Sequence, residues 1–282
     1  MTWMEQQYDE STVEQFSERF PFAYWLNGDK KLKQLGGVPY TGGWFLPADQ
    51  IDHGLLNEDG VPAKGWTAGQ LDFQNGNSTD GFYAQNVSIA MLAWRRRWIV
   101  NNVNGGFAWN KYDEAKAQGN PRGHIQVLGM IHGLEAVGPM FLSAKGMVGK
   151  QIYGADNSVF SGFISNVILE AAKLRGGKGK PPFRMFWMTI GPETDGKEPK
   201  FTTVGSGNET SVITLPALVG VPGKLDKAAL TKRYVGNDLF AEMEALVQSP
   251  EVESWRTGWD KTALEENASP EEPEFNDEDM PF

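Results

Sequence analysis

Between Val87 and Val100 the chain runs fourteen residues that are apolar except for Ser88 and the triplet Arg95-Arg96-Arg97. A run of this length must be buried, and by periodicity alone it fits a strand or a helix. It ends in Trp98-Ile99-Val100 followed by the turn formers Asn101-Asn102, which favours a strand. It is far short of the ~20 apolar residues that span a bilayer. The chain has 282 residues, 40% hydrophobic and 22% charged, enough for one large domain or two small ones.

Around this run the pattern reads as β structure with one clear helix. Residues 5–19 fit a short surface helix. Residues 20–85 are rich in Gly, Pro, Asn and aromatics and read as short strands and ordered loops, with the aromatics as packing residues. Residues 101–121 read as a Gly/Asn-rich loop carrying Phe107, Trp109, Lys111 and Tyr112. From 122 to 133, Ile125, Val127 and Ile131 alternate with Arg122, His124, Gln126 and His132, the period of a strand. After Gly138-Pro139, Met140, Leu142 and Ala144 alternate with Phe141, Ser143 and Lys145, giving the second strand of a hairpin.

Asp156, Asn157 and Ser158 are N-cap candidates for a helix whose apolar face holds Phe160, Phe163, Ile164, Val167, Ile168, Ala171 and Leu174. Gly176 follows as its C′ residue. A basic Gly-rich loop leads through Pro181-Pro182 to an expected strand at Phe183–Ile190. Phe201–Val204 and Val212–Leu215 form a further pair, and residues 236–248 a short amphipathic helix through Leu239, Phe240, Met243 and Leu246. From residue 87 the order is three strands, a helix and two strands. That order predicts an OB-fold-like five-stranded barrel with one helix between strands three and four, mainly β with α. The expected organisation is an N-terminal extension at 1–85, an OB-like core at 86–220, a helical segment at 221–263 and a disordered acidic tail at 264–282.

The net charge of −10 conceals an asymmetry. Residues 265–282 hold eight acids and no Lys or Arg, leaving 28 acids against 26 bases in residues 1–264. Such a segment reads as a solvated interaction tail. It closes with Asp277-Glu278-Asp279-Met280-Pro281-Phe282. This ending resembles the C-terminal tip of bacterial and phage single-stranded DNA-binding proteins, which close an acidic stretch with Asp, an aliphatic residue, Pro and a terminal Phe; Met280 stands where Ile is usual. The resemblance covers about the last dozen residues. It implies a tip that docks on replication, recombination and repair enzymes, with the Phe282 ring in a pocket and its α-carboxylate and the preceding acids on a basic rim. The body lacks the family's usual start, so it implies a divergent member from a bacterial or phage-infected cell.

Binding single strands takes cations for phosphates and flat rings for bases. Trp94-Arg95-Arg96-Arg97-Trp98 supplies both; in a strand Trp94, Arg96 and Trp98 share one face and Arg95 and Arg97 the other. Phe107, Trp109, Lys111 and Tyr112 lie where an OB-fold loop contacts nucleic acid. Arg122, Phe141 and Lys145 on the hairpin, then Lys150, Lys178, Lys180 and Arg184, complete the candidates.

Catalytic patterns are weak. There is no Cys, which excludes disulfides and thiolate metal sites, and only three His, His53, His124 and His132. No Walker, His-Glu-x-x-His or Gly-x-Ser-x-Gly motif occurs. The expectation is a non-catalytic single-stranded DNA-binding protein without cofactor or metal. It would be cytoplasmic, since Met1–Glu5 lacks the charged and apolar regions of a secretory leader. Ten Trp among Gly/Asn loops make a carbohydrate-binding or hydrolytic protein the first rival. An acidic DNA mimic is the second, but it predicts charge spread over the body, which is near neutral.

Overall fold

The Val87 run is a single strand of sixteen residues, and the sheet is built around it. The computed structural model describes residues 20–27, 34–35, 38–39, 42–72, 78–102, 105–109, 111–196, 198–204, 211–222 and 225–257. Ten strands form the main sheet: β1 Phe22–Leu26, β2 Gly43–Pro47, β3 Thr67–Asp72, β4 Ser78–Ala84, β5 Val87–Asn102, β6 Gly105–Trp109, β7 Arg122–Ile131, β8 Met140–Lys145, β9 Met188–Pro192 and β10 Pro216–Leu218. Their order is β10-β9-β5-β7-β8-β1-β2-β4-β3, with β6 folded back on β5. All pairs are antiparallel except β1 with β8.

The protein is thus mainly β with helices, but the expected five-stranded barrel is replaced by a larger mixed sheet that no ladder closes among the described residues. Residues 22–84, expected as an extension, supply four of its strands. The reason is the free edge of β8, which β1 fills in parallel (Phe22 opposite Phe141, Tyr24 opposite Ser143).

The sheet curls tightly. Trp44 Nε1 on β2 donates to the Ile190 carbonyl on β9 at 3.1 Å, although β5, β7, β8 and β1 separate the two strands in the order. The inner face gathers the main core from Ala23, Trp25, Trp44, Ile89, Met91, Ile125, Val127, Met140, Leu142 and Ile190. On the outer face Ala90, Leu92, Ala93, Leu128 and Met130 meet Met243, Val252 and Trp255. The first half of β5 is therefore buried on both faces, which is why its sequence does not alternate. Its pairing with β7 shifts between Met91 and Ala93, so Leu92 is an extra residue and both Leu92 and Ala93 join the outer cluster. Gly129, opposite Met91, allows the approach there: a Cβ would sit 2.3 Å from the Ala90 carbonyl oxygen.

The helices cover the two faces. α1 (Tyr112–Gln118) follows β6, and α2 (Gly146–Ile152) follows β8 and packs on β7 and β8. α3 is continuous through Val159–Phe163, a π-helical Ile164–Ile168 and Leu169–Leu174. Ser158 caps it, accepting from the Ser161 N–H. Phe163, Val167, Ile168 and Ala171 are buried as the sequence spacing predicts. The wider π turn carries one residue more than an α turn, so the apolar face drifts, and Leu174 ends 56% exposed. α4 (Lys227–Arg233), α5 (Asn237–Leu246) and α6 (Pro250–Thr257) close the described chain, α6 lying on β5. Among the described residues no helix is long and apolar enough to cross a membrane.

Two local expectations change. Residues 105–109 are a strand rather than loop, because β5 projects past β9 and offers β6 an open edge. Phe183–Met185 is a 3₁₀ turn entered from Pro182, and the strand expected from Phe183 begins at Met188. Phe201–Val204 pairs with Ser211–Thr214 as a separate ribbon, tied to the sheet by Trp25 Nε1 donating to Thr214 O at 3.2 Å. The segments 5–19 and 264–282 lie outside the described residues.

Candidate nucleic-acid interface

Antiparallel register across β5, β7 and β8 sets outer-face residues in rows. Arg97, His124 and Lys145 form one row; Arg95, Gln126 and Ser143 the next; Ala93, Leu128 and Phe141 the third. β1 extends the last two with Tyr24 and Phe22. Arg122 stands opposite Ile99, one step beyond the first row. One end of this face is basic and the adjoining region is aromatic. Phe22 stacks on Phe141 at 5.4 Å and 22°, and Tyr24 meets Phe45 at 5.5 Å. Phe22, Tyr24 and Phe141 are half-buried, each keeping part of its ring at the surface.

The basic end lowers its own proton affinities. Burial, then the charges of Lys145 and Arg122, push His124 down to about 4. Burial, then Arg122, also lowers Lys145. His124 is therefore neutral at pH 7, with Nδ1 3.4 Å from Ser143 Oγ, between two cations. Tyr24 is pushed up to about 12, by burial first and then by Asp49, so it keeps its proton. This surface favours an anion that lies across the rows and places flat apolar groups on the rings beside them.

Arg95 has a different task. Its Nε donates to Gln126 Oε1 at 2.7 Å and its Nη1 to the Trp255 carbonyl at 2.6 Å. Its guanidinium lies 4.2 Å from the Trp255 ring centroid and 6.0 Å from that of Phe141. It thereby holds α6 against the face. Arg97 is 2% exposed and sits inside the protein, so the basic triplet is not a row of surface phosphate ligands.

The other sequence candidates disperse. Trp94 lies across β5 from Arg95, its ring stacked on Tyr153 at 3.9 Å. Arg96 is beside Gly154, where a Cβ would stand 3.8 Å from its Nη2. Trp98 is buried, packed over Gly123 and edge-on to Tyr112 at 4.8 Å. Phe107 and Trp109 occupy β6 opposite Val100 and Trp98, instead of a loop. Lys111 is 4.0 Å from Glu114 at the start of α1. Lys150 is half-buried near the end of α2. Lys178 and Lys180 are exposed in the loop after α3, and Arg184 Nε pairs with Glu244 of α5. Asp277, Glu278, Asp279, Met280, Pro281 and Phe282 lie outside the described residues.

Phe22, Tyr24, His124 and Trp255 join the site without having been singled out in the sequence. His124 carried a signal, since it shares the polar face of its strand with Arg122. Phe22 and Tyr24 carried none, because their neighbours come from a strand more than a hundred residues away. Comparison of the chain with protein-family models, with curated proteins and with solved structures finds no match.

Proposed function

We propose that the protein is a non-catalytic binder of single-stranded DNA that uses the outer face of β7, β8 and β1. The observation that carries the reading is the junction of Arg122, His124 and Lys145 with the half-buried rings of Phe141, Phe22 and Tyr24 on one sheet face. Phosphates lie along Arg122 and Lys145, and bases stack on the rings. Stacking is sequence-tolerant because every base has a π-face. A duplex hides those faces, so the rings select single strands.

We read β5-β7-β8, followed by α2, α3 and then β9, as an OB-type arrangement whose missing wall is supplied by β1. In support, β5 pairs with both β7 and β9, and β8 has a parallel neighbour. The acidic tip Asp277–Phe282 recruits replication, recombination or repair enzymes, its terminal ring and carboxylate serving as anchor. α6 carries the Trp255 carbonyl that Arg95 holds, and the acidic segment follows α6 in the chain.

Titration of poly-dT against the intrinsic tryptophan fluorescence tests this directly. Affinity falls steeply between about 50 and 500 mM salt and differs little between base compositions. Binding that is absent, or indifferent to salt, overturns the reading.

A further inference from the structure

The inner side of β5 carries a second set of rings that the outer face does not use. Ile89 pairs with both Ile131 of β7 and Met188 of β9, so β9 lies on the edge opposite β7. Trp98 pairs with both Gly123 of β7 and Trp109 of β6, so β6 lies on that same edge. Between these partners, residues 90–97 have no strand on that edge among the described residues. Trp94 stands in the middle of this opening, and the Phe183–Met185 turn packs against the same strand.

From Trp94 a run of rings crosses three elements. Trp94 stacks on Tyr153 at 3.9 Å and 28°; Tyr153 meets Phe160 at 4.7 Å and 36°; Phe160 meets Phe183 edge-on at 5.1 Å. Here the two terminal rings are the exposed ones, Trp94 at 36% and Phe183 at 38%. Cations flank both ends. Arg96 lies beside Gly154, next to Tyr153. Lys178 and Lys180 are exposed just before Phe183, in a loop whose Gly176, Gly177 and Gly179 all have positive φ and face open space. Such a loop brings its backbone and its lysines close to a polyanion without side chains in the way.

We infer that this aromatic rail, with the Lys178–Lys180 loop, is a second binding track for single-stranded nucleic acid, engaged by further nucleotides of the strand held on the outer face. Trp94 pairs with Val127 of β7, the strand that carries Arg122 and His124 on its outer face, so β7 stands between the two tracks. The rail gives bases a stacking surface at each end and phosphates a cation beside each. This inference rests on the proposed function and adds to it a length dependence: short oligonucleotides fill the outer face alone, and longer ones reach the rail.

The test compares dT oligomers of about 6 and about 30 nucleotides, the first within the site of a single OB-type domain and the second well beyond it. The proteins compared are the wild type, the double variant Trp94→Ala/Phe183→Ala, the double variant Lys178→Gln/Lys180→Gln, and Lys145→Gln as a probe of the outer face. Loss of a stacking ring weakens the long oligomer by about 5- to 150-fold and leaves the short one unchanged. The lysine variant, confined to an exposed loop that the fold does not depend on, lowers the salt slope for the long oligomer by about 1.4. Lys145→Gln weakens both lengths. Rail variants that bind the long oligomer as the wild type does overturn the rail and leave the outer face standing. Rail variants that lose the short oligomer equally overturn the separation into two tracks. A wild-type protein that binds neither length overturns the proposed function itself.

Discussion

The two halves of β5 are one strand in different surroundings. From Val87 to Ala93 the strand is covered on both faces, Ile89 and Met91 in the inner core and Ala90, Leu92 and Ala93 in the outer cluster. From Trp94 onward the inner side carries Trp94, Arg96 and Trp98, and the outer side Arg95 and Arg97. The first half is set by area removed from water. The second half is set by what each polar or aromatic group finds next to it: Trp255 for Arg95, Tyr153 for Trp94, Tyr112 for Trp98. The extra residue at Leu92 separates the two regimes and decides which side each arginine takes. Charge in a strand is thus informative only together with register.

The sharpest way to break this contrast is in the buried half. Ile89 has no exposed surface, so Ile89→Ala costs about 2–5 kcal/mol in urea unfolding, while the folded fraction binds dT oligomers unchanged. A cost below ~1 kcal/mol means that the core is not anchored at β5.

The next effect is on pH. The folded His124 has its affinity for protons depressed to about 4, below its usual 6.5. Above about pH 6.5 it is neutral folded or unfolded, so it makes no difference there. As pH falls from 6.5 towards 4 the unfolded chain takes up the proton first, and on the order of 2–3 kcal/mol of stability is lost. Thermal melts of His124→Gln over this range show a flatter profile than the wild type; parallel profiles contradict the depressed proton affinity of His124. Bound oligonucleotide supplies negative charge, so the His124 ring signals titrate at a higher pH in the complex.

Smaller again is the double variant Lys145→Gln/Arg122→Gln. It removes two cations that oppose each other, so the fold does not weaken, but the salt slope for dT binding drops by about 1.4. An unchanged slope places the phosphates elsewhere. Trp94→Ala removes an aromatic pair on an exposed edge, worth about 0.5–1.5 kcal/mol beyond the area it buries, and costs the fold less than the alanine five residues earlier. A loss equal to that of Ile89→Ala shows the two halves of β5 to be one core.

The contrast also marks how far the sequence could be read. The strand at β5, the β7–β8 hairpin and the capped helix from Ser158 were legible because each rests on local pattern: alternation, a turn, an N-cap. The wall made by β1 and β2 was not, since the pairing of Phe22–Leu26 with Met140–Lys145 spans more than a hundred residues. The same gap hid half of the candidate site. Arg122, Phe141 and Lys145 were identifiable on one hairpin, but Phe22 and Tyr24 read as packing aromatics until their strand was placed. The rail through Tyr153, Phe160 and Phe183 crosses three elements, and no spacing in the chain announces it.

Closure by the Trp44 indole has a consequence for how this wall can change. A barrel closed by a backbone ladder must satisfy an integer stagger, so its girth comes in steps set by strand number and shear. Among the described residues no ladder crosses the seam; the bond from Trp44 Nε1 to the Ile190 carbonyl spans it, and it has direction but no register. The girth is set by the reach of one side chain, which permits sliding along the seam by fractions of a residue. The seam is also where the wall gapes first, since among the described residues no ladder has to break there. Solvent exchange at the Trp44 indole should therefore run ahead of exchange at the backbone amides of β5 and β7.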